Sequence, residues 1–154
     1  MKPATGAGFP SWCRIVRDAT ACENAPSYAT GETIQHAADS YGRVAWLARE
    51  ETERFVALYL DNRHRLLCAS VVSVGTVGNT LVNPREVFRM AIAVNASALV
   101  VAHNHPSGDP APSAEDKALT ERLRKAGELL GMRVLDHIVV GAGRFVSLAE
   151  LERW

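Results

Sequence analysis

The chain has 154 residues, of which 47% are hydrophobic and 22% charged, as in an ordinary soluble globular protein of one domain. Its 17 basic and 17 acidic side chains cancel, so the net charge does not support binding to nucleic acid or to an anionic membrane. Three scattered cysteines exclude a Cys-x-x-Cys unit and a disulfide framework. Without an apolar leader or a bilayer-length apolar run, the sequence predicts a cytoplasmic protein.

The N-terminal part of the chain is predicted to be an arm and not part of the domain. Residues 1–32 are rich in Ala, Gly, Pro, Ser and Thr and show no sustained period, which indicates an arm or linker with at most a short strand at 12–17. From Thr33, apolar residues recur at three- and four-residue spacing and predict a helix to about Arg49.

The middle of the chain is predicted to form a hairpin, a helix and a buried strand. Apolar, β-branched and aromatic runs lie on both sides of the turn Asp61-Asn62 and predict a β-hairpin. The stretch 83–95 opens with Asn-Pro, which is typical of a helix start. The continuous apolar run at 97–104 predicts a strand covered on both faces.

The last third of the chain is predicted to contain a long helix, two strands and a final helical turn. The helix covers 113–131 and ends at a glycine, the strands cover 132–141 and 144–148, and the turn covers 149–154. The resulting order, α-β-β-α-β-α-β-β, predicts a mixed β-sheet flanked by helices, of the α/β or α+β class.

Two histidines stand one residue apart at the end of the predicted strand, in HNHPSGDPAPSAED. Residues i and i+2 of a strand share a face roughly 6–7 Å apart, so His103 and His105 can bind one ion. Ser113-x-x-Asp116 is close to a capping box, which starts a helix and by itself needs no metal. The same turn can bring Asp116 to the histidines, and the helix start favours its ionised form. Two histidines and one carboxylate with an open fourth position are typical of a catalytic zinc site.

These residues resemble a known signature. His103-x-His105, followed by Ser113 and Asp116, matches H-x-H-x7-S-x2-D of the JAMM (JAB/MPN) metalloprotease superfamily. The stretch 83–141, from NPREVF to LDHIVVG, resembles the RadC branch of that superfamily. The resemblance implies a JAB/MPN architecture, which is similar to that of cytidine deaminases.

The resemblance extends over residues 33–150 and implies that 33–154 form one RadC-like domain. RadC-like proteins usually carry a helix-hairpin-helix region before this domain. Residues 1–32 do not resemble that region, so DNA contacts attributed to it are not carried over to this chain. A deaminase is excluded as an alternative, because no Pro-Cys-x-x-Cys is present.

The resemblance also implies a mechanism. His103, His105 and Asp116 would bind one Zn²⁺ per chain, which lowers the pKa of a coordinated water to about 7. Ser113 would stabilise the oxyanion formed during attack. The implied activity is zinc-dependent hydrolysis of an amide or isopeptide bond in a protein or peptide, with a glutamate that moves the proton.

The identity of that glutamate is left open between two residues. Glu53 opens the first long strand, as an acidic residue does in RadC-like sequences, and has no other local explanation. Glu86 is the alternative candidate, although the spacing Asn83-x-x-Glu86 is also explained as the N-terminal pair of a helix. His137 lies in an apolar strand and is interpreted as a core residue or a neighbour of a ligand.

A second class of function stays open: a DNA-repair or DNA-associated binding module with little catalysis, which is the traditional label of RadC relatives. The intact set of His103, His105, Ser113 and Asp116 favours the hydrolase. The sequence is compatible with a homodimer, and it identifies neither the substrate nor the oligomeric state.

Overall fold

The computed structural model describes residues 31–75 and 82–154. The predicted arm, with its strand at 12–17, lies outside the described residues except for residues 31 and 32. The helices and strands, in chain order, are α1 (Ala37–Val44), a 3₁₀ turn (Ala45–Arg49), β1 (Arg54–Leu60), β2 (Leu66–Val74), α2 (Pro84–Ala93), β3 (Ala98–Asn104), α3 (Ala114–Leu130), β4 (Arg133–Val140), β5 (Phe145–Ser147) and α4 (Leu148–Glu152).

The five strands form one mixed sheet in the order β2-β1-β3-β4-β5. Strand β1 pairs antiparallel with β2 and β3, β3 pairs parallel with β4, and β5 is antiparallel to β4. Helix α3 is the crossover between the two parallel strands, as parallel pairing requires. The predicted fold class, a mixed sheet flanked by helices, is confirmed.

Both faces of the sheet are covered. Alternate residues of β1 enter two separate cores, Val56 and Leu58 on the side of α1, and Phe55 and Ala57 on the side of α2 and α3. Every residue of β3 is buried, which confirms the prediction of a strand covered on both faces. This arrangement places the end of β3 against the start of α3.

The first helix begins later than the sequence predicted. Thr33 forms an isolated antiparallel bridge with Arg65 and does not enter the helix. The carboxylate of Asp39 accepts the backbone N–H groups of Gln35 and His36, at 2.9 and 3.0 Å, and thereby caps the helix at this point. The predicted C-terminal half, up to Arg49, is a 3₁₀ turn.

In the described parts of the chain, no helix is both long enough and apolar enough to cross a membrane.

Two helical glycines provide a matched test of the packing. A Cβ at Gly127 would lie 2.2 Å from the carbonyl oxygen of Met132 and 3.3 Å from the Phe88 ring, whereas a Cβ at Gly42 would meet nothing within 4 Å. We expect Gly127→Ala to lower the free energy of unfolding by about 1–3 kcal/mol. Gly42→Ala should raise it by about 0.5–1 kcal/mol, because alanine restricts the unfolded chain. Urea denaturation of both variants measures the difference; equal effects would contradict the close approach at Gly127.

Candidate metal centre

The end of β3 fixes the positions of the two histidines. His103 pairs with Phe55 of β1 and is almost fully buried, with 1% of its surface exposed. His105 lies just beyond the strand, where its backbone N–H donates to the carbonyl of Val140 at 2.9 Å. Their ring planes are inclined by 64°, and the two Nε2 atoms are 3.0 Å apart.

Asp116 completes a cluster with these two histidines. Its Oδ1 lies 3.1 Å from His103 Nε2, and its Oδ2 lies 3.3 Å from His105 Nε2. Among the described residues, these three are the ones that the structure brings together as a group able to hold a metal ion, with all candidate ligand atoms within 4.8 Å of one another.

The start of α3 delivers Asp116 to this cluster. Ser113 is the N-cap of the helix, and its Oγ accepts the backbone N–H of Asp116 at 3.1 Å. The backbone N–H of Ser113 donates in return to Asp116 Oδ2 at 2.7 Å. The capping box and the cluster therefore share the same carboxylate, and the cap orients that carboxylate towards the histidines.

The hydrogen bonds around His105 show that the cluster fits a cation. Its Nδ1 lies 2.8 Å from the carbonyl oxygen of Asp109, which can only accept, so Nδ1 carries the proton. The neutral ring then directs the lone pair of Nε2 at the carboxylate of Asp116, so two electron-rich atoms repel each other. A cation bound between them would remove this repulsion.

The pKa shifts of His105 and Asp116 also indicate that the cluster attracts a cation. The hydrogen bond to Asp116 raises the pKa of His105 above its usual value, against the opposing effect of burial. Burial would raise the pKa of Asp116, but hydrogen bonds to His103 and His105 outweigh it and hold that pKa well below its usual range. Without a metal ion, a proton is the cation that the cluster attracts.

His137 lies behind His103. Its Nε2 is 2.8 Å from His103 Nδ1, its Nδ1 is 2.6 Å from Thr120 Oγ1, and none of its surface is exposed. Burial lowers the pKa of His137 well below the usual value, so the ring is neutral. The residue does not belong to the metal-capable group and contacts it through His103.

The register of the sheet brings Glu53 to the same end. Phe55 pairs with His103 at the end of the antiparallel ladder, and Glu53 precedes Phe55 by two residues, so it extends from the edge of the sheet at which His103 lies. Its charge contributes to the raised pKa of His105. Asn104 holds the segment in place: its Oδ1 accepts the N–H of Arg54 at 2.8 Å, and its Nδ2 donates to the carbonyl of Thr52 at 3.1 Å.

Glu86 has different partners. It lies in the first turn of α2 and forms ion pairs with Arg89 at 3.0 Å and with Arg85 at 3.4 Å. The N-cap of that helix is Asn83, whose side chain accepts the N–H of Arg85 at 3.0 Å. These contacts explain Glu86 as part of a helix start.

Sequence reasoning missed three residues that support the cluster: Asn104, Asp109 and Thr120. Asn104 stands between the two histidines and, by the alternation of strands, points away from them. Thr120 follows Asp116 by one helical turn, a spacing that places both on one face. Asp109 acts through its backbone carbonyl, for which the side chain gives no signal.

The fold and the cluster together define a JAB-type domain with a His-His-Asp group. A family model described as the RadC-like JAB domain matches residues 34–153, and the chain belongs to this family. The family assignment confirms the resemblance that the motif predicted.

Curated relatives carry names that state no activity. A UPF0758 protein of Methanococcoides burtonii is 45% identical over 118 residues, which cover 76% of this chain and 52% of the relative. A UPF0758 protein of Methanosarcina mazei is 45% identical over 104 residues, 68% of this chain and 45% of the relative. A UPF0758 protein of Geobacter sulfurreducens is 52% identical over 95 residues, 62% of this chain and 42% of the relative. The chain thus spans about half the length of these relatives.

Proposed function

We propose that this domain is a zinc-dependent hydrolase of amide or isopeptide bonds, with one Zn²⁺ held by His103, His105 and Asp116. The convergence of two Nε2 atoms and one carboxylate carries the proposal. Zinc bonds of about 2.0–2.1 Å in tetrahedral geometry place neighbouring donor atoms roughly 3.3 Å apart. Here the two Nε2 atoms are 3.0 Å apart, and they lie 3.1 and 3.3 Å from the two different oxygens of Asp116, which is close to the spacing that zinc requires.

The residues around the cluster supply the remaining chemistry. Bound zinc would act as a Lewis acid that makes a water molecule a nucleophile at neutral pH. Glu53, in the segment before β1, would accept the proton from that water at its carboxylate and pass it to the departing amine. The Ser113 Oγ accepts the N–H of Asp116, which leaves its own hydroxyl proton available for the substrate oxygen that gains negative charge.

The proposed substrate is a protein or a peptide. Hydrolysis of this kind needs a proton acceptor within reach of the attacking water and a hydrogen-bond donor within reach of the oxygen that becomes the oxyanion. Glu53 comes from the segment before β1, and Ser113 comes from the start of α3, so two separate elements provide them. The balanced net charge of the chain favours this class of substrate over nucleic acid.

Metal content tests the proposal directly. We expect one zinc ion per chain in the purified protein, and its loss in Asp116→Asn, because the amide keeps the capping interaction but lacks the charge. Glu115→Gln is the matched control: Glu115 is the neighbouring exposed residue of the same helical turn, and its variant should retain the ion. Elemental analysis gives the metal content, and a library of internally quenched peptides reports cleavage.

Three outcomes would count against the proposal. A wild-type protein prepared without chelators that holds no metal would contradict the centre itself. Full zinc occupancy in Asp116→Asn would contradict the assignment of Asp116. Salt-dependent DNA binding by a metal-free protein without peptide cleavage would favour the binding-module alternative.

A further inference from the structure

A chain of polar groups runs from His103 into the core, away from the open side of the metal centre. His103 Nδ1 lies 2.8 Å from His137 Nε2, and His137 Nδ1 lies 2.6 Å from Thr120 Oγ1. The same Thr120 oxygen lies 2.6 Å from the backbone carbonyl oxygen of Asp116. His137 is 0% exposed and Thr120 is 2% exposed, so both must satisfy their hydrogen bonds inside the protein.

These distances allow two arrangements of the same protons, one on each neutral ring and one on the hydroxyl. In the first, Thr120 donates to His137 Nδ1, His137 Nε2–H donates to His103 Nδ1, and His103 Nε2–H donates to the carboxylate of Asp116. In the second, Thr120 donates to the carbonyl of Asp116, His137 Nδ1–H donates to Thr120, and His103 Nδ1–H donates to His137 Nε2. Each buried proton has an acceptor in both arrangements.

Only the second arrangement can bind a metal ion, because it leaves a lone pair on His103 Nε2. A ligating histidine usually donates its other N–H to a carboxylate, a carbonyl or water. Here the acceptor is another imidazole, which can also donate, so His137 alone does not fix the tautomer of His103. The Thr120 hydroxyl has two acceptors at equal distance and can therefore match either tautomer of His137 by rotation alone.

We propose that His137 and Thr120 are positioning residues of the metal centre, and that metal binding switches this chain from the first arrangement to the second. This inference rests on the metal-dependent function proposed above. Neither residue belongs to the metal-capable group: His137 contacts it through His103, and Thr120 contacts it through His137 and through the backbone carbonyl of Asp116. By rotating, the Thr120 hydroxyl either donates to or accepts from His137 Nδ1, and so keeps the fully buried His137 hydrogen-bonded in both states.

The tautomer of His137 is the direct readout. Nitrogen NMR of the imidazole rings, at mildly alkaline pH, should show the proton on Nε2 in the metal-free protein and on Nδ1 after addition of Zn²⁺. If zinc binds and His137 keeps one tautomer, the inference is overturned while the proposed function stands. If zinc does not bind at all, both are overturned.

Two variants of Thr120 separate positioning from packing. Thr120→Val keeps the shape but leaves His137 Nδ1–H without an acceptor in the metal-bound state, so the Kd for Zn²⁺ should rise about 10- to 100-fold. Thr120→Ser keeps the hydroxyl and should restore a Kd close to that of the wild type. Competition with a chelator measures both values, and thermal unfolding reports stability. A valine variant that loses stability but keeps its zinc affinity would assign Thr120 a packing role alone and overturn the inference.

Discussion

Replacement of Glu53 by Gln is expected to slow peptide hydrolysis by about 10²- to 10⁴-fold and to leave one zinc ion bound per chain. Glutamine keeps the size and polarity of the side chain but cannot accept a proton at neutral pH. Glu53 is close enough to His105 for its charge to contribute to the raised pKa of that histidine, and it lies outside the three-residue metal group, so hydrolysis should fail while metal binding persists. The measurements are kcat for the fastest-cleaved library peptide and the zinc content of the same sample.

Glu86→Gln is the matched control for this experiment. Glu86 is paired with Arg85 and Arg89 at the start of α2, so its replacement should leave kcat near the wild-type value. The opposite result, a large loss in Glu86→Gln with full activity in Glu53→Gln, would transfer the role of proton acceptor to Glu86. A loss of zinc in Glu53→Gln would instead show that Glu53 supports the metal centre.

Most of the fold could be predicted because its signals are local. The apolar runs around Asp61-Asn62 form the hairpin of β1 and β2, and Asn83-Pro84 starts α2 as its composition indicated. Gly131 ends α3 with a positive φ of 70°, a conformation that glycine adopts without strain. The error at Thr33 arose because apolar spacing continued through a segment that instead pairs with Arg65, a contact distant in sequence.

The candidate centre could be predicted only in part, for a physical reason. His103, His105 and Asp116 lie within one motif, so their spacing along a strand and a helix start was sufficient to bring them together. The position of Glu53 at the edge of the sheet where His103 lies depends on the antiparallel pairing of β1 with β3, which a single sequence does not reveal. Thr120 and His137 meet across α3 and β4, and their pairing depends on how that helix packs on the sheet.

Ser113→Ala is the second variant with a large expected effect, because Ser113 caps α3 and is also proposed to donate to the oxyanion. As N-cap of α3 it accepts the N–H of Asp116, and its loss should lower the free energy of unfolding by about 1 kcal/mol. As proposed donor to the developing oxyanion, its loss should lower kcat by about 10²- to 10³-fold. Urea denaturation and peptide hydrolysis measure the two effects on the same protein.

Two further variants at this position distinguish the cap from the donor. Ser113→Thr keeps both the acceptor and the hydroxyl proton, and should retain most stability and activity. Ser113→Asp keeps a good N-cap but has no proton to donate, so it should retain stability and lose activity. An aspartate variant with wild-type kcat would show that Ser113 acts only as the N-cap of α3 and not as the oxyanion donor. If the variants with a hydroxyl keep their activity, and the variants with a hydrogen-bond acceptor keep their stability, both roles are supported. One side chain would then start the helix that carries Asp116 and also take part in the reaction.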